Sequence, residues 1–214
     1  MRKTHILPFL RSAAVIIAVS LSSSCHHAEN NETADILEDV ESYINERPDS
    51  ALTVIQSIGA DDLSSRELKA RHALLLSQAL DKNFIDLQSD SIIAPAVKFF
   101  EKSGDREALF KAYYYHARVL SNAGRYTEAM QIYLKAEEMS GKVKDLFAVG
   151  LLHSQIGGLN SKYFNYSKAI EYYQKAQEYY RQAGKNTHMH VCDLNLAQAY
   201  YESGQKEKGI ALYM

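Results

Sequence analysis

The chain holds 214 residues, of which 46% are hydrophobic and 23% charged, with a formal net charge of −2 and two cysteines. That length is enough for a sizeable core in one domain. The charge balance lacks the basic face that nucleic acid requires, and two cysteines exclude a disulfide-built scaffold.

Arg2, Lys3 and Arg11 form a basic front, followed by the apolar run 13–21 (AAVIIAVSL), three serines and Cys25. A nine-residue run is too short for a permanent membrane helix, which needs about 20 residues, and suits a cleaved export signal. The string Leu21-Ser22-Ser23-Ser24-Cys25 resembles a bacterial lipobox, although its leucine stands four residues before the cysteine where the usual pattern has three. The resemblance implies a signal over 1–24 and a lipidated Cys25 that anchors the chain to a membrane; two acyl chains suffice for stable anchoring. An ordinary secretory signal cleaved near Ser24 is the alternative. Removal of 1–24 would take the net charge to −5, and with Cys25 acylated only Cys192 would remain, so no intramolecular disulfide is expected. Residues 25–33 then read as the lipidated cysteine and a polar flexible tether.

From there apolar residues recur three and four apart, and strand-type alternation is absent, so helices are expected throughout. They pair as 34–45 with 49–58, 65–82 with 89–102, 106–123 with 126–140, 144–162 with 166–183, and 186–203 with 206–214. Arg47-Pro48-Asp49-Ser50 supplies the first turn and cap, and Asp90 or Ser91 caps the helix that contains Pro95.

A forty-residue period runs through the second half. Gly124, Tyr126, Ala129, Tyr133 and Ala136 are echoed by Tyr166, Ala169, Tyr173 and Ala176, and again by Gly204, Gly209 and Tyr213. Ala117, Gly157 and Ala197 share the spacing and admit a close approach between the two helices of a pair, while the tyrosines fill the space between pairs. A fixed period of this size marks stacked units that bury their apolar faces against neighbours. The pattern resembles the tetratricopeptide repeat family, with a unit about six residues longer than the usual 34. The resemblance implies an all-α, right-handed superhelical solenoid of antiparallel helix hairpins, about five in number with the last incomplete. Degenerate capping hairpins are expected over 34–104 and repeats over 105–214, at about 110–143, 150–183 and 190–214.

Wider phrases are similar to a group of exported bacterial tetratricopeptide proteins: Arg47 to Leu52, Ala70 to Leu76, Asp90 to Phe100, and the tyrosine-rich Ala112 to Leu120. Longer members of that group continue into a membrane helix, a coiled coil and sometimes a DNA-binding helix-turn-helix. Met214 falls in mid-helix, so a fragment of a longer chain is expected.

Catalytic motifs are not evident. There is no G-x-S-x-G elbow, H-E-x-x-H helix or glycine-rich phosphate loop, and Gly157-Gly158 reads as close packing. Carboxylate pairs such as Glu137-Glu138 and Asp61-Asp62 fall on polar faces or in turns. In His188-x-His190-x-Cys192 only His188 and Cys192 share a helix face, and two ligands do not make a structural zinc site. His26-His27 reads as tether, and His72, His116 and His153 as hydrogen-bonded histidines in apolar helices. No metal, no cofactor and no enzyme activity are expected.

Fourteen of the fifteen tyrosines lie between Tyr113 and Tyr213, mostly as packing, though tyrosine also favours recognition surfaces. The family resemblance implies a concave partner groove lined by Tyr114, Arg118 and Asn122, then Ser154, Gly158 and Lys162, then Leu194, Gln198 and Tyr201. Tyr114 and Arg118 stand where the family's carboxylate clamp has lysine and asparagine, so that ligand is not expected. The expectation is a membrane-anchored, periplasm-facing protein of a Gram-negative cell envelope that binds a protein or peptide. A sensor portion of a longer transmembrane regulator and a carbohydrate-uptake lipoprotein are the alternatives, and the absence of tryptophan argues against the latter.

Overall fold

A computed structural model describes residues 32–213, and among them all regular structure is α-helical. The export signal, Cys25 and residues 26–31 of the tether lie outside the described residues. Among the described residues ten helices follow one another: α1 (32–43), α2 (Pro48–Ser57), α3 (Arg66–Lys82), α4 (Ala94–Ser103), α5 (Arg106–Asn122), α6 (Tyr126–Ser140), α7 (Leu146–Lys162), α8 (Tyr166–Gln182), α9 (Asn186–Glu202) and α10 (Lys206–Tyr213). Helices consecutive from α2 pack in antiparallel pairs, and α3 also touches α5, as α7 touches α9. The architecture is an all-α solenoid.

Several helix ends differ from the sequence reading, and two of these differences have a physical cause in the structure. Glu32 and Thr33 are helical rather than part of the tether, and buried Thr33 belongs to the stripe that continues through Leu37, Val40 and Ile44. Regular helix in the fourth element begins at Ala94 instead of residue 89, with Ile93 as a cap that makes no side-chain bond. The Asp90 carboxylate does not serve as that cap. It lies 3.3 Å from His116 Nε2 and 3.6 Å from an Arg125 nitrogen, while the following Pro95, which has no N–H to leave unpaired, sits in the first turn.

Sequence chemistry explains where the other helices start and stop. Ser65, Asp105 and Asp145 each accept a bond from the backbone N–H three residues on, capping α3, α5 and α7. The turn within each later hairpin is a repeated object. The N–H groups of Ile85, Arg125, Asn165 and Gln205 reach back to the carbonyls of Leu80, Leu120, Asn160 and Tyr200 at 2.8–3.0 Å. This return bond satisfies an otherwise orphaned carbonyl at each helix end.

Close approach within hairpins rests on the small residues. A Cβ added to Gly157 would meet the Tyr173 ring at 2.9 Å, and one added to Gly209 would meet the Ala197 carbonyl at 2.7 Å. Ala117, Ala129, Ala136, Ala169, Ala176 and Ala197 are fully buried. Tyr133 and Tyr173, equivalent positions in successive hairpins, are 0% and 4% exposed because the next pair covers them, whereas Tyr213 in α10 is 54% exposed. Each unit therefore depends on its neighbour for burial.

Candidate binding cleft

The first helices of successive hairpins wall a cleft of about 360 Å³. The C-terminal end of α3 contributes Asp81 and Lys82, α5 contributes Tyr114, Tyr115 and Arg118, α7 contributes Phe147, Leu151 and Gln155, and the start of α9 contributes His188 next to Lys185. Phe84, in the turn after α3, stands at the edge.

Phe147 is the centre of the arrangement. The Lys82 ammonium lies 5.8 Å from its ring centroid and that of Lys185 lies 5.2 Å away, and the His188 ring meets it edge-on at 4.7 Å. A cation over an aromatic face is held by the ring quadrupole. Burial lowers the Lys82 pKa from its ordinary value, against the attraction of Asp81, Asp145 and Glu46, and Lys185 lowers it further. The His188 pKa is lowered too, first by burial and then by Lys82 and Lys185. Neither lysine has an ion pair among the described residues.

Across the cleft the polar groups are already committed. Arg118 donates from Nε to Asp81 Oδ1 at 2.8 Å and from Nη1 to Gln155 Oε1 at 3.3 Å. Burial pushes the phenols of Tyr114 and Tyr115 well above their ordinary range, so both rings stay neutral; they meet edge-to-face at 4.9 Å. The cleft thus offers an apolar and aromatic wall on one side and two unpaired ammonium groups on the other. That combination can seat an extended or helical segment bearing an acidic side chain.

Of the nine residues expected to line the groove, the structure brings Tyr114 and Arg118 together in this cleft. Asn122 donates to Asp86 Oδ1 at 2.9 Å beyond it. Ser154 and Gly158 turn toward α8, where Ser154 lies near Tyr180 and a Cβ on Gly158 would lie 3.7 Å from the Tyr173 hydroxyl. Lys162 covers the Tyr126 ring at 4.5 Å. Leu194 is exposed on α9, Gln198 bonds Glu202 within the same helix, and Tyr201 lies under Lys206 at 5.2 Å. Lys82, Tyr115, Phe147, Leu151, Gln155, Lys185 and His188 were missed. Tyr115 and Gln155 carry the forty-residue spacing, one position along from Tyr114 and Ser154, so the signal was present in a neighbouring register.

The histidines do not gather. Cys192 is buried and its thiol donates to the Tyr173 carbonyl at 3.2 Å, while His190 is exposed with Nδ1 3.8 Å from Asp193. Among the described residues no group of three metal-ligating side chains converges, and no helix is long and apolar enough to cross a membrane.

Residues 110–142 match the sequence model of the tetratricopeptide repeat family, and no curated protein matches the chain. A Pyrococcus horikoshii signal-transduction ATPase with numerous domains and a tetratricopeptide repeat sensor is similar in structure, with a TM-score of 0.65 at 20% identity over 85% of this chain and 28% of that one. BtubC from P. vanneervenii has a TM-score of 0.57 at 14% identity, over 87% of this chain and 70% of that one. MamA AMB-1 has a TM-score of 0.53 at 13% identity, over 85% of this chain and 94% of that one. The fold is a helical-repeat solenoid of tetratricopeptide type. The matched segment, which spans α5 and α6, and these structures together support the tetratricopeptide repeat family. The chain corresponds to little more than a quarter of the archaeal ATPase.

Proposed function

We propose that this chain is a membrane-anchored interaction protein of the cell envelope, which holds a protein or peptide in the cleft centred on Phe147. A repeat fold of this type is an interaction scaffold. One observation carries the reading to this face: Lys82 and Lys185 approach one aromatic ring from two hairpins, Lys82 attracted by Asp81, Asp145 and Glu46 from a distance and neither lysine with a carboxylate partner at contact distance. A bound segment with a carboxylate would supply it. No catalytic role is proposed. The anchor is inferred from the resemblance of residues 21–25 to a lipobox behind a basic and apolar front, and it implies a scaffold that faces the periplasm of a Gram-negative cell.

A photo-crosslinking residue at Leu151 of the native full-length protein tests the cleft, with the same residue at Glu128 on the outer side as control. A discrete adduct from position 151 alone supports the reading; equal adducts from both positions overturn it. Intact mass and membrane fractionation of wild type and Cys25→Ala test the anchor separately. Acyl mass and membrane retention that both disappear in the variant are the expected result.

A second reading draws on the P. horikoshii ATPase, whose repeats are named a sensor. The present chain would be the sensing portion of a longer regulator, and the cleft would hold its signal. The parent gene would then encode, downstream, a further apolar run of about 20 residues.

A further inference from the structure

A second cavity, of about 600 Å³, opens at the other end of α3, between its first two turns and α4. Its floor is apolar, made by buried Ala70 and the half-buried ring of Phe99. Its rim carries four cations, with Pro95 and Ser103 beside them. Arg66 and Lys69 stand three apart on α3, and Lys98 and Lys102 stand four apart on the facing α4.

No carboxylate lines this groove, and none of the four cations has an ion pair among the described residues. In a chain of net charge −2, four unpaired positive charges at one groove are a local reversal of sign. Like charges three or four apart on a helix repel, so both helices carry an arrangement that opposes their own stability. An opposite charge brought from outside would remove that repulsion.

We propose that this groove is a docking site for an acidic amphipathic helix of a protein partner. Apolar side chains on one face of that helix would fill the floor over Ala70 and Phe99, and Asp or Glu on its flanks would meet the two rims. The recessed apolar floor favours an inserted helix over a flat lipid surface, which would meet the rim and leave the floor empty. The site is separate from the Phe147 cleft and does not depend on it.

The probe is a labelled synthetic helix of about 18 residues, with leucines at i, i+3, i+4 and i+7 and glutamates beside them. Its binding to the full chain is followed by fluorescence anisotropy, with circular dichroism as a check on folding. Saturable binding is expected that weakens with added salt and falls about tenfold or more in the Lys69→Glu/Lys98→Glu double variant. The Lys82→Glu/Lys185→Glu variant removes any binding of the probe in the Phe147 cleft and should keep the binding phase that depends on Lys69 and Lys98. Should the charge reversal unfold α3 or α4, Lys69→Gln/Lys98→Gln replaces it, with the same loss of binding and no loss of thermal stability expected. Absent binding, binding unchanged by either pair, or binding lost through the cleft variant would overturn the proposal. So would capture by phosphatidylglycerol vesicles that depends on Lys69 and Lys98 while the peptide is ignored.

Discussion

Phe84 and Phe164 occupy the same place in two hairpins eighty residues apart, and both hold a left-handed backbone, with φ of 58° and 61°. Glycines fill the equivalent place in the alternate hairpins, Gly124 at 76° and Gly204 at 86°. The shared return bond of these turns demands that conformation, which a side chain resists by about 1 kcal/mol or more. Neither ring repays the strain by packing, since Phe84 is 94% and Phe164 78% exposed.

Replacing Phe84 with glycine should therefore stabilise the fold by about 0.5–1 kcal/mol. Phe164→Gly should gain less, because the Phe164 ring still touches Tyr166 edge-on at 6.2 Å. Thermal denaturation of both variants checks this, and a fall in melting temperature for Phe84→Gly would refute the account. Phe84 also borders the cleft, so lost partner binding in a more stable Phe84→Gly protein would locate a functional reason for the strain.

Adjacent glycines in α7 should respond with opposite signs. At Gly157 a new Cβ would lie 2.9 Å from the Tyr173 ring, and the ring, fixed between helices, cannot withdraw. Gly157→Ala should destabilise by about 1–2 kcal/mol, overpacking outweighing the gain in helix propensity. At Gly158 the nearest atom is the Tyr173 hydroxyl at 3.7 Å, an ordinary contact. Gly158→Ala should stabilise by about 0.5–1 kcal/mol. Urea denaturation of the two single variants decides both.

His153 makes the fold acid-sensitive in a defined window. Burial lowers its pKa to about 4, and Lys175 adds to the effect. Glu137 does not counter this; its nearer oxygen is 3.8 Å away, and its carboxylate already accepts the Tyr172 hydroxyl at 2.9 Å. The neutral ring stacks between Tyr172 and Tyr179 at 5.8 and 5.3 Å. Above pH 6.5 the histidine is neutral in folded and unfolded chains alike, and no stability is lost. As pH falls from there to about 4 the unfolded chain takes up a proton that the folded chain refuses, so stability falls. The loss through this residue is up to about 3 kcal/mol. His153→Phe should flatten that limb in a series of denaturation curves between those pH values; an unchanged limb would assign the sensitivity to other groups.

Cys192 should be inert while the protein is folded. Burial pushes its thiol up to about 12, with Asp193 acting in the same direction, so almost no thiolate forms at neutral pH. Iodoacetamide at pH 8 should label it only after denaturant is added. Rapid labelling of the native protein would show that α9 opens locally.

Much of the stacking could be read directly from residue spacing. The forty-residue recurrence of Tyr133 with Tyr173, and of Ala129 with Ala169, specifies which faces of which helices meet, and those residues are buried as the recurrence implies. The cleft was harder to read. Each step along a helix turns a side chain by about 100°, so a frame one residue out places Ser154 against Tyr180 while Gln155 faces the opening. Lys82 and Lys185 were invisible for a different reason. They stand more than a hundred residues apart, one at the C-terminal end of α3 and the other just before α9, and both reach the Phe147 ring of a third helix. Asp90 shows a third limit: its position suits a cap, but His116 and Arg125 compete for the carboxylate from another hairpin.

The two lysines that face Phe147, Lys82 at the end of α3 and Lys185 just before α9, are set by elements with two hairpins between them, so the gap between them is not fixed by any single contact. It depends on how α3 seats against α5, α6 against α7 and α7 against α9. A stack of this kind behaves as a spring whose coils are hairpins. On the proposed reading an occupant of the cleft would act as a strut across that spring, and tension along the chain would be felt there as a change in affinity.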